Sequence, residues 1–483
     1  MESNNSQYKL YVCGPTTYAP SHLGHARTYM IVDLINRVMT HFDGKKIFLV
    51  MNITDIDDKI LSKASETNTN WTDIAKKYEK SFFDSMIKLN VQLPNVIIRV
   101  SEVIPEIVKY IQVIIDKGFA YVTNDGSVYF DTITYLSAGY TINENIDDDY
   151  SEISESIVNQ KKNKKDFSLW KGRLDNEVGF DVKFTYNNYI IFSHGRPGWH
   201  IECSTMIHET LGNHFDIHFG GIDLKFPHHY NEIIQANAYH HPLYHPDTNK
   251  IWCNEFIHIG HLCIQGQKMS KSLKNFTTID EALDTINSNE IRWMFMTHKW
   301  SDQMDFSDET IKYIKILDGT FINFFNRIIN YPFDKNNVKY NQAEIYLDNF
   351  YYKTNIDIIT KLKTFEFDLV VRALTDLINK TNSYISSDKP NEHLVRKIYE
   401  WIFYIVTTLG FVYGVKNNSH NIADILSVIV ETRTTLREIT RDKSVPKDIK
   451  DKLFNILDKE RNVSLKNIGI TLQDTKTSSS WFI

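Results

Sequence analysis

Two histidines separated by a Leu-Gly pair, in His22-Leu23-Gly24-His25, are well suited to phosphate chemistry. So are the two lysines of Gly266-Gln267-Lys268-Met269-Ser270-Lys271-Ser272. Imidazole and ammonium groups can offset the charge of a triphosphate and of a departing pyrophosphate, while Gly24 leaves room for a flat base. The three fixed positions of His-x-Gly-His recur by chance at roughly the few-per-cent level in a chain of this size, whereas Lys-Met-Ser-Lys-Ser has a chance occurrence on the order of one in several thousand. Either could be a solvated loop. Both together, in this order, point to a nucleotide site.

A second group mixes hard and soft ligands: Cys13, Cys203, His228 and Glu232. Taken singly, a cysteine after a strand is most often packing, and a His-x-x-x-Glu pair is most often a surface ion pair or core contact. As a set they offer sulfur, sulfur, nitrogen and oxygen, the mixture that suits Zn²⁺. His228 and Glu232 stand four residues apart, which puts them on one helical face. Neighbouring His229 reads as structural or as orienting a ligand. Cys253 and Cys263 read as packing.

The elements that must position these groups follow from the pattern of apolar residues. Tyr8–Val12 reads as a strand that turns at Gly14-Pro15 into a helix opening near Ser21. A helix N-terminus after a tight loop favours anions through its free N–H groups and its dipole. The helical spacing runs over 26–42 and stops at Asp43-Gly44, and the apolar run 46–52 suits a buried parallel strand. This β-α-β order is half of a nucleotide-binding fold, with Thr54 and the acidic Asp55-Ile56-Asp57-Asp58 at the same sheet edge as Cys13. Amphipathic helices are expected over 71–89 and 100–117, then a hairpin around Asn124-Asp125-Gly126. Residues 143–156 are acidic and 161–165 lysine-rich, so this region reads as an inserted connecting domain. The sheet-edge chemistry resumes at Gly195–Cys203, a strand is expected over 214–219, a helix opening at Pro227 and further sheet over 252–264. Thr278–Glu281 is a capping box, and apolar-periodic segments between 311 and 414 predict an antiparallel helix bundle. Residues 469–483 have no clear period.

Composition bounds the rest. A chain of 483 residues, 42% hydrophobic and 13% aromatic, can bury a core across two to four domains. The net charge of −6 excludes a general polyanion binder, so any nucleic-acid contact must rest on local basic patches. No stretch approaches the ~20 apolar residues of a membrane span. Four cysteines and a polar N-terminus without a visible leader predict a reducing, cytoplasmic location.

The phosphate loop, the Asn52–Lys59 run NITDIDDK, GRPGWHIECS (195–204), the 220–232 run ending FPHHYNE, and KMSKSLKNF (268–276) together resemble the cysteinyl-tRNA synthetase family of class I aminoacyl-tRNA synthetases. The match is specific from Tyr8 to Phe306 and weakens through the helical part. The resemblance implies an α/β, Rossmann-like parallel-sheet catalytic domain split by a connecting insertion and followed by an all-α bundle. In chain order this predicts a first catalytic half (1–118), a connecting domain (119–194) and a second half (195–265). A signature loop with a stem-contact region (266–310), a tRNA-binding bundle (311–440) and an extension (441–483) complete it. It implies ATP binding by His22, Leu23, Gly24, His25 and by Lys268, Met269, Ser270, Lys271 and Ser272, with His22, His25, Lys268 and Lys271 acting in catalysis. Zinc ligation by Cys13, Cys203, His228 and Glu232, one ion per chain, agrees with the set reached from ligand chemistry. Thr54, Trp199, His218 and Asp223 match positions lining the cysteine pocket. ATP with Mg²⁺, L-cysteine and tRNA-Cys are the implied partners, with a monomeric enzyme and no membrane. Leu23 departs from the family's usual Ile or Met, and residues 181–193 read as a small local insertion.

Three rivals are distinguishable. A cysteine-activating ligase that acylates a sugar amine shares both signatures but has a reduced C-terminal region. An inactive RNA-binding paralogue would not need the intact histidines and lysines. Methionyl-tRNA synthetase, a related class I enzyme, is disfavoured by the paired cysteines with His and Glu.

Overall fold

The computed structural model describes residues 7–142, 160–173, 177–264, 266–269, 276–333, 340–386, 390–414, 422–442, 445–459, 471–474 and 479–482. The acidic stretch at 143–156 and Ser270, Lys271 and Ser272 lie outside these, as does the side chain of Lys268. Two compact units divide the chain, Met1–Val412 and Tyr413–Ile483.

The first unit begins with β1 (Tyr8–Val12), α1 (Leu23–His41) and β2 (Ile47–Ile53). Asp57 caps α2 (Asp58–Thr67) by accepting from the Lys59 N–H, satisfying one of the open amides of a helix start. After α3 (Trp71–Lys88) comes β3 (Val96–Arg99), a four-residue edge strand that periodicity did not signal, and then α4 (Ile104–Asp116). The inserted sheet follows: β4 (Ala120–Val122), β5 (Val128–Phe130), the short α5 (Thr132–Ser137), β6 (Ser168–Gly172), β7 (Phe180–Tyr186) and β8 (Tyr189–Pro197). It is antiparallel, in the order β4-β5-β6-β8-β7. The stretch read as a small insertion is therefore the β7–β8 hairpin, turned by Asn187 and Asn188, both with positive φ (50° and 65°).

The chain returns to the first sheet through α6 (Trp199–Leu211), β9 (Phe215–Gly221), α7 (Tyr230–His240) and β10 (Cys253–Ile259). The strand order is β10-β9-β1-β2-β3, all parallel. Strands added before the insertion lie on one side of β1 and those added after it on the other. The strand order thus reverses beside β1, and the crevice at its carboxyl end is where such sheets bind ligands. Leu10, Tyr11 and Val12 of this central strand are fully buried, as the continuous apolar run requires.

Beyond it come β11 (Leu262–Ile264), β12 (Gln267–Lys268), α8 (Ile279–Leu283), α9 (Ser288–Met296) and the two-residue β13 (Met304–Asp305). Then α10 (Asp308–Asn330), α11 (Gln342–Lys363), α12 (Phe367–Ile385) and α13 (Glu392–Thr408) form the helical part, with Phe321, Phe325, Leu374, Ile378, Ile398 and Ile402 buried between them. A buried ion cluster ties it to α1: Arg292 donates to Asp33 at 2.6 Å and to the Leu409 carbonyl at 3.0 Å. In the second unit, α14 (Ile422–Arg441) and α15 (Lys447–Lys459) precede an antiparallel ribbon of β14 (Thr471–Asp474) and β15 (Ser479–Phe482). The ribbon forms where the sequence carries no readable period. Among the described residues no helix is long and apolar enough to cross a membrane.

Candidate active site

Cys13 follows directly on β1, and Gly14 comes next, where two chain segments nearly touch. The Gly14 N–H donates to Asn52 Oδ1 at 2.8 Å, and a Cβ on Gly14 would lie 1.6 Å from the Asn52 carbonyl oxygen. Only glycine fits there. The loops after β1 and β2 are then zipped by Thr54 N–H to Pro15 and Thr17 N–H to Thr54, each at 3.2 Å. This pairs Thr16 with Thr54 and holds both loops at the sheet edge that carries Cys13.

The four expected ligands converge. Cys13 and Cys203, 190 residues apart, bring their sulfurs to 3.9 Å. Glu232 Oε1 is 3.0 Å from His228 Nε2, and the nearest donor or acceptor atoms of all four residues lie within 4.8 Å of one another. The helix that carries Glu232 starts at Tyr230 rather than at Pro227, because Phe226 is extended (φ −142°, ψ 136°) and 225–229 form a wider, irregular turn. His228 and Glu232 still face each other across it.

The electrostatics call for a cation. Burial raises Glu232, but His218 and His228 outweigh it and hold the carboxyl well below the usual range. Burial raises Cys203 too, yet the bond from Cys13 and the nearby His228 draw it down to about 6, while Cys13 itself is pushed well up. Two buried groups thus favour anionic forms. His228 answers them as a cation: burial lowers it, but Glu232 and Cys203 lift it to about 10. Its Nδ1 lies 3.0 Å from His200 Nδ1, a residue that burial keeps well below its normal value. Glu232 Oε1, fully buried, has no hydrogen bond despite its closeness to His228 Nε2. A proton alone satisfies this set poorly, and a soft divalent ion with two sulfurs, a nitrogen and an oxygen fits it. The buried Cys/His/Glu cluster is compatible with zinc.

A second grouping, Cys13, His218, His229 and Glu232, is equally close. Within it His218 Nε2 bonds Glu232 Oε2 at 2.8 Å, and His229 Nδ1 turns outward to His258 Nε2 at 2.9 Å. Cys13, Cys203 and His228 line the open cavity, whereas His218 and His229 stand behind it. Three of the first set thus reach the open cavity, while Glu232, shared by both sets, lies off the lining with His218 and His229. His229 approaches Cys13 Sγ at 3.5 Å, closer than a residue of mere packing. Neither His258 nor His200 was singled out by sequence, since their partners, His229 and His228, lie 29 and 28 residues away on the irregular turn at 225–229.

A cavity of about 640 Å³ runs from this cluster to the start of α1. There His22 and His25 stack at 3.8 Å between ring centres, and the His22 N–H donates to His25 Nδ1 at 3.3 Å. A Cβ on Gly24 would meet the His22 ring at 2.9 Å. Gly24, Thr54, Trp199, Asp223 and Met269 also line the cavity. Trp199 stacks on His228 with ring centres 4.4 Å apart. Leu23 is fully buried and lies off the lining, and His218 sits beneath it at the metal end. Lys59 reaches the lining unannounced by the signatures.

Residues 1–316 match the family described as tRNA synthetases class I (C) catalytic domain. The chain is 52% identical to a cysteine–tRNA ligase of Acanthamoeba polyphaga mimivirus, over 98% of this chain and 96% of that one. It is 37% identical to the cytoplasmic cysteine–tRNA ligase of Dictyostelium discoideum, over 98% of this chain and 73% of that one. Among solved structures, Mycobacterium tuberculosis methionyl-tRNA synthetase in complex with methionyl-adenylate shares the fold at 13% identity, with a TM-score of 0.58 over 84% of this chain and 90% of that one. Parallel sheet, split catalytic half and thiol-lined cavity all agree with these matches, and the chain belongs to the cysteine–tRNA ligase family of class I aminoacyl-tRNA synthetases.

Proposed function

We propose that this chain joins L-cysteine to ATP as cysteinyl-adenylate, releases pyrophosphate, and passes the cysteinyl group to the 3′ end of tRNA-Cys. The observation that carries the reading is one cavity with a thiol, imidazole and carboxylate cluster at one end and stacked histidines at a helix start at the other. In this reading Cys13, Cys203, His228 and Glu232 hold one Zn²⁺. Bound there, the ion would lower the pKa of the substrate thiol and favour it over the hard hydroxyl of serine, a discrimination no methylene-sized pocket provides.

The chain's own residues do the rest. His218 fixes the Glu232 carboxylate through its 2.8 Å bond, and His200 fixes the His228 ring, so the ligands keep one geometry. Trp199 closes the wall beside His228 and keeps water from the sulfur. Asp223 receives the substrate ammonium, and Thr54 helps place the cysteine. With cysteine held, one carboxylate oxygen attacks the α-phosphorus in line. The bond to pyrophosphate breaks, while His22, His25, Lys268, Lys271 and the Mg²⁺ of ATP offset the charge that develops. Gly24, Met269, Ser270 and Ser272 shape the phosphate path and Leu23 packs beneath it. The terminal adenosine 2′-hydroxyl then attacks the carbonyl carbon and AMP leaves. The helices beyond residue 310 give the reach to a tRNA, and the enzyme is read as a cytoplasmic monomer. Cysteine-dependent ATP–pyrophosphate exchange, followed by charging of a tRNA-Cys transcript in preference to a sugar amine, is the expected result. Exchange supported equally by serine, or amine ligation without tRNA charging, would overturn it.

A further inference from the structure

Two residues beyond His25, α1 carries a charge that none of these steps uses. Arg27 is 1% exposed, and among the described residues it makes no ion pair. Its fork ends on backbone instead. Nη1 donates to the carbonyls of Gly260 at 3.0 Å and His261 at 2.7 Å, and Nη2 to that of Asp302 at 2.6 Å. The carbonyls of Lys299 and Trp300 are 3.3 and 3.5 Å from Nη2. A guanidinium can serve two segments at once because its donors lie in a rigid plane. Burial draws its pKa down to about 10, with Cys263 and Asp302 pulling the other way, so it remains charged at neutral pH.

The two segments it joins are unusually close. The Gly260 N–H donates to Trp300 at 3.0 Å, and a Cβ on Gly260 would stand 2.2 Å from the Asp302 carbonyl oxygen. Gly260, His261 and Leu262 line the same cavity as His22 and His25. The Leu262 carbonyl takes the N–H of Met269 at 2.9 Å, which carries the same frame into the second signature. Farther along, Leu23 and Thr277 bond at 3.0 Å, as do Ile279 and Ser21. The helix of the first signature therefore grips the flanks of the second, with Arg27 as its side-chain hold on the wall.

We propose that Arg27 is a positioning residue for nucleotide activation, setting the gap between the histidine face of α1 and the Gly260–Leu262 wall that receives ATP. The inference rests on the reading that this cavity activates an amino acid with ATP. It separates Arg27 from a residue that merely holds the fold, because the metal-facing cluster lies at the other end and should not feel its loss.

The test is ATP–pyrophosphate exchange with ATP and cysteine varied separately, alongside melting curves and titration of active sites. Arg27→Lys keeps the charge but offers donors at one point, so it should fold and lose roughly 30- to 100-fold in kcat/KM for ATP, with KM for cysteine within about twofold. Gly260→Ala shifts the same wall without touching the charge and should show the same ATP-selective loss. Wild-type ATP parameters in Arg27→Lys would overturn the proposal. So would equal losses for both substrates that follow the fraction of active sites. If Arg27→Lys fails to fold, Gly260→Ala decides, and failure of both to fold overturns a role separable from folding. A wild-type enzyme without cysteine-dependent exchange would sink the reading of the cavity instead.

Discussion

The two ends of the cavity are built by opposite means. At the metal-facing end, side chains do the building: Cys13, Cys203, His228 and Glu232 come from three chain segments, and each is at most 6% exposed. Their polar atoms are placed by one another and by His200, His218, His229 and His258. At the nucleotide end backbone and empty space matter more. Gly24 and Gly260 stand where a Cβ would collide, and Arg27 holds carbonyls rather than side chains. The difference follows from the ligands each end is read to take. A single sulfur must be met by a few fixed points, since it offers little surface to grip. A triphosphate offers many oxygens and needs room, donors and a wall at the right distance.

The contrast can be broken most severely at the sulfur end. Cys203→Ser should abolish zinc retention and cost more than the roughly 100-fold that loss of an outer partner costs, with metal content read by atomic absorption and activity by exchange. Undiminished exchange in a metal-free Cys203→Ser protein would remove the role assigned to the cluster. One step out, His218→Ala strips Glu232 Oε2 of its 2.8 Å donor and should weaken cysteine binding by about 10- to 100-fold, leaving KM for ATP unchanged. At the other end, Gly24→Ala pushes the His22 ring out of its stack with His25. It should raise KM for ATP on the order of 10-fold without moving KM for cysteine. If either variant disturbed both substrates alike, the two ends would not be independent.

Much of this division was readable from residue types, because β1, α1 and β2 follow period and turn chemistry closely. Cys13 and Cys203 were paired by ligand softness alone, and what brings them to 3.9 Å is the parallel pairing of β1 with β9 together with the fall of α6 beneath it. That pairing spans some 200 residues and leaves no local trace. The approach of His229 to Cys13 was missed for a different reason. A regular helix from Pro227 turns His229 away, whereas the extended Phe226 and the wide turn at 225–229 let both histidines approach the sulfurs. The β7–β8 hairpin escaped because Tyr189, Ile190 and Phe192 point outward, so apolar alternation does not report burial there. Its Asn-Asn turn was the usable signal. Arg27 gave none, since its acceptors are backbone carbonyls more than 230 residues away.

The mildest test concerns the frame behind the cysteine end. Asp58, at the start of α2 after β2, holds Arg196 at 2.5 Å and Lys171 and Arg173 at 3.3 Å each. Arg196 ends the inserted sheet three residues before Trp199, so this carboxylate links the Thr54 side of the cavity to the helix of Cys203. Burial raises its pKa, but Lys171, Arg196 and Arg173 outweigh that and bring it down to about 2. A depressed carboxyl stabilises the fold above its unfolded value near pH 4 and loses that contribution as pH falls through about 2. The full shift corresponds to about 2 kcal/mol, but the side chain is 49% exposed, and solvent screening reduces this to about 1 kcal/mol. Asp58→Asn should therefore lower stability in urea by that amount at pH 7, with the gap to wild type closing as pH is taken below 4. Because Thr54 and Cys203 both serve the cysteine end, any kinetic change in Asp58→Asn should fall on KM for cysteine and leave KM for ATP unmoved. A shift in KM for ATP would tie Asp58 to the nucleotide end and redraw the boundary between the two.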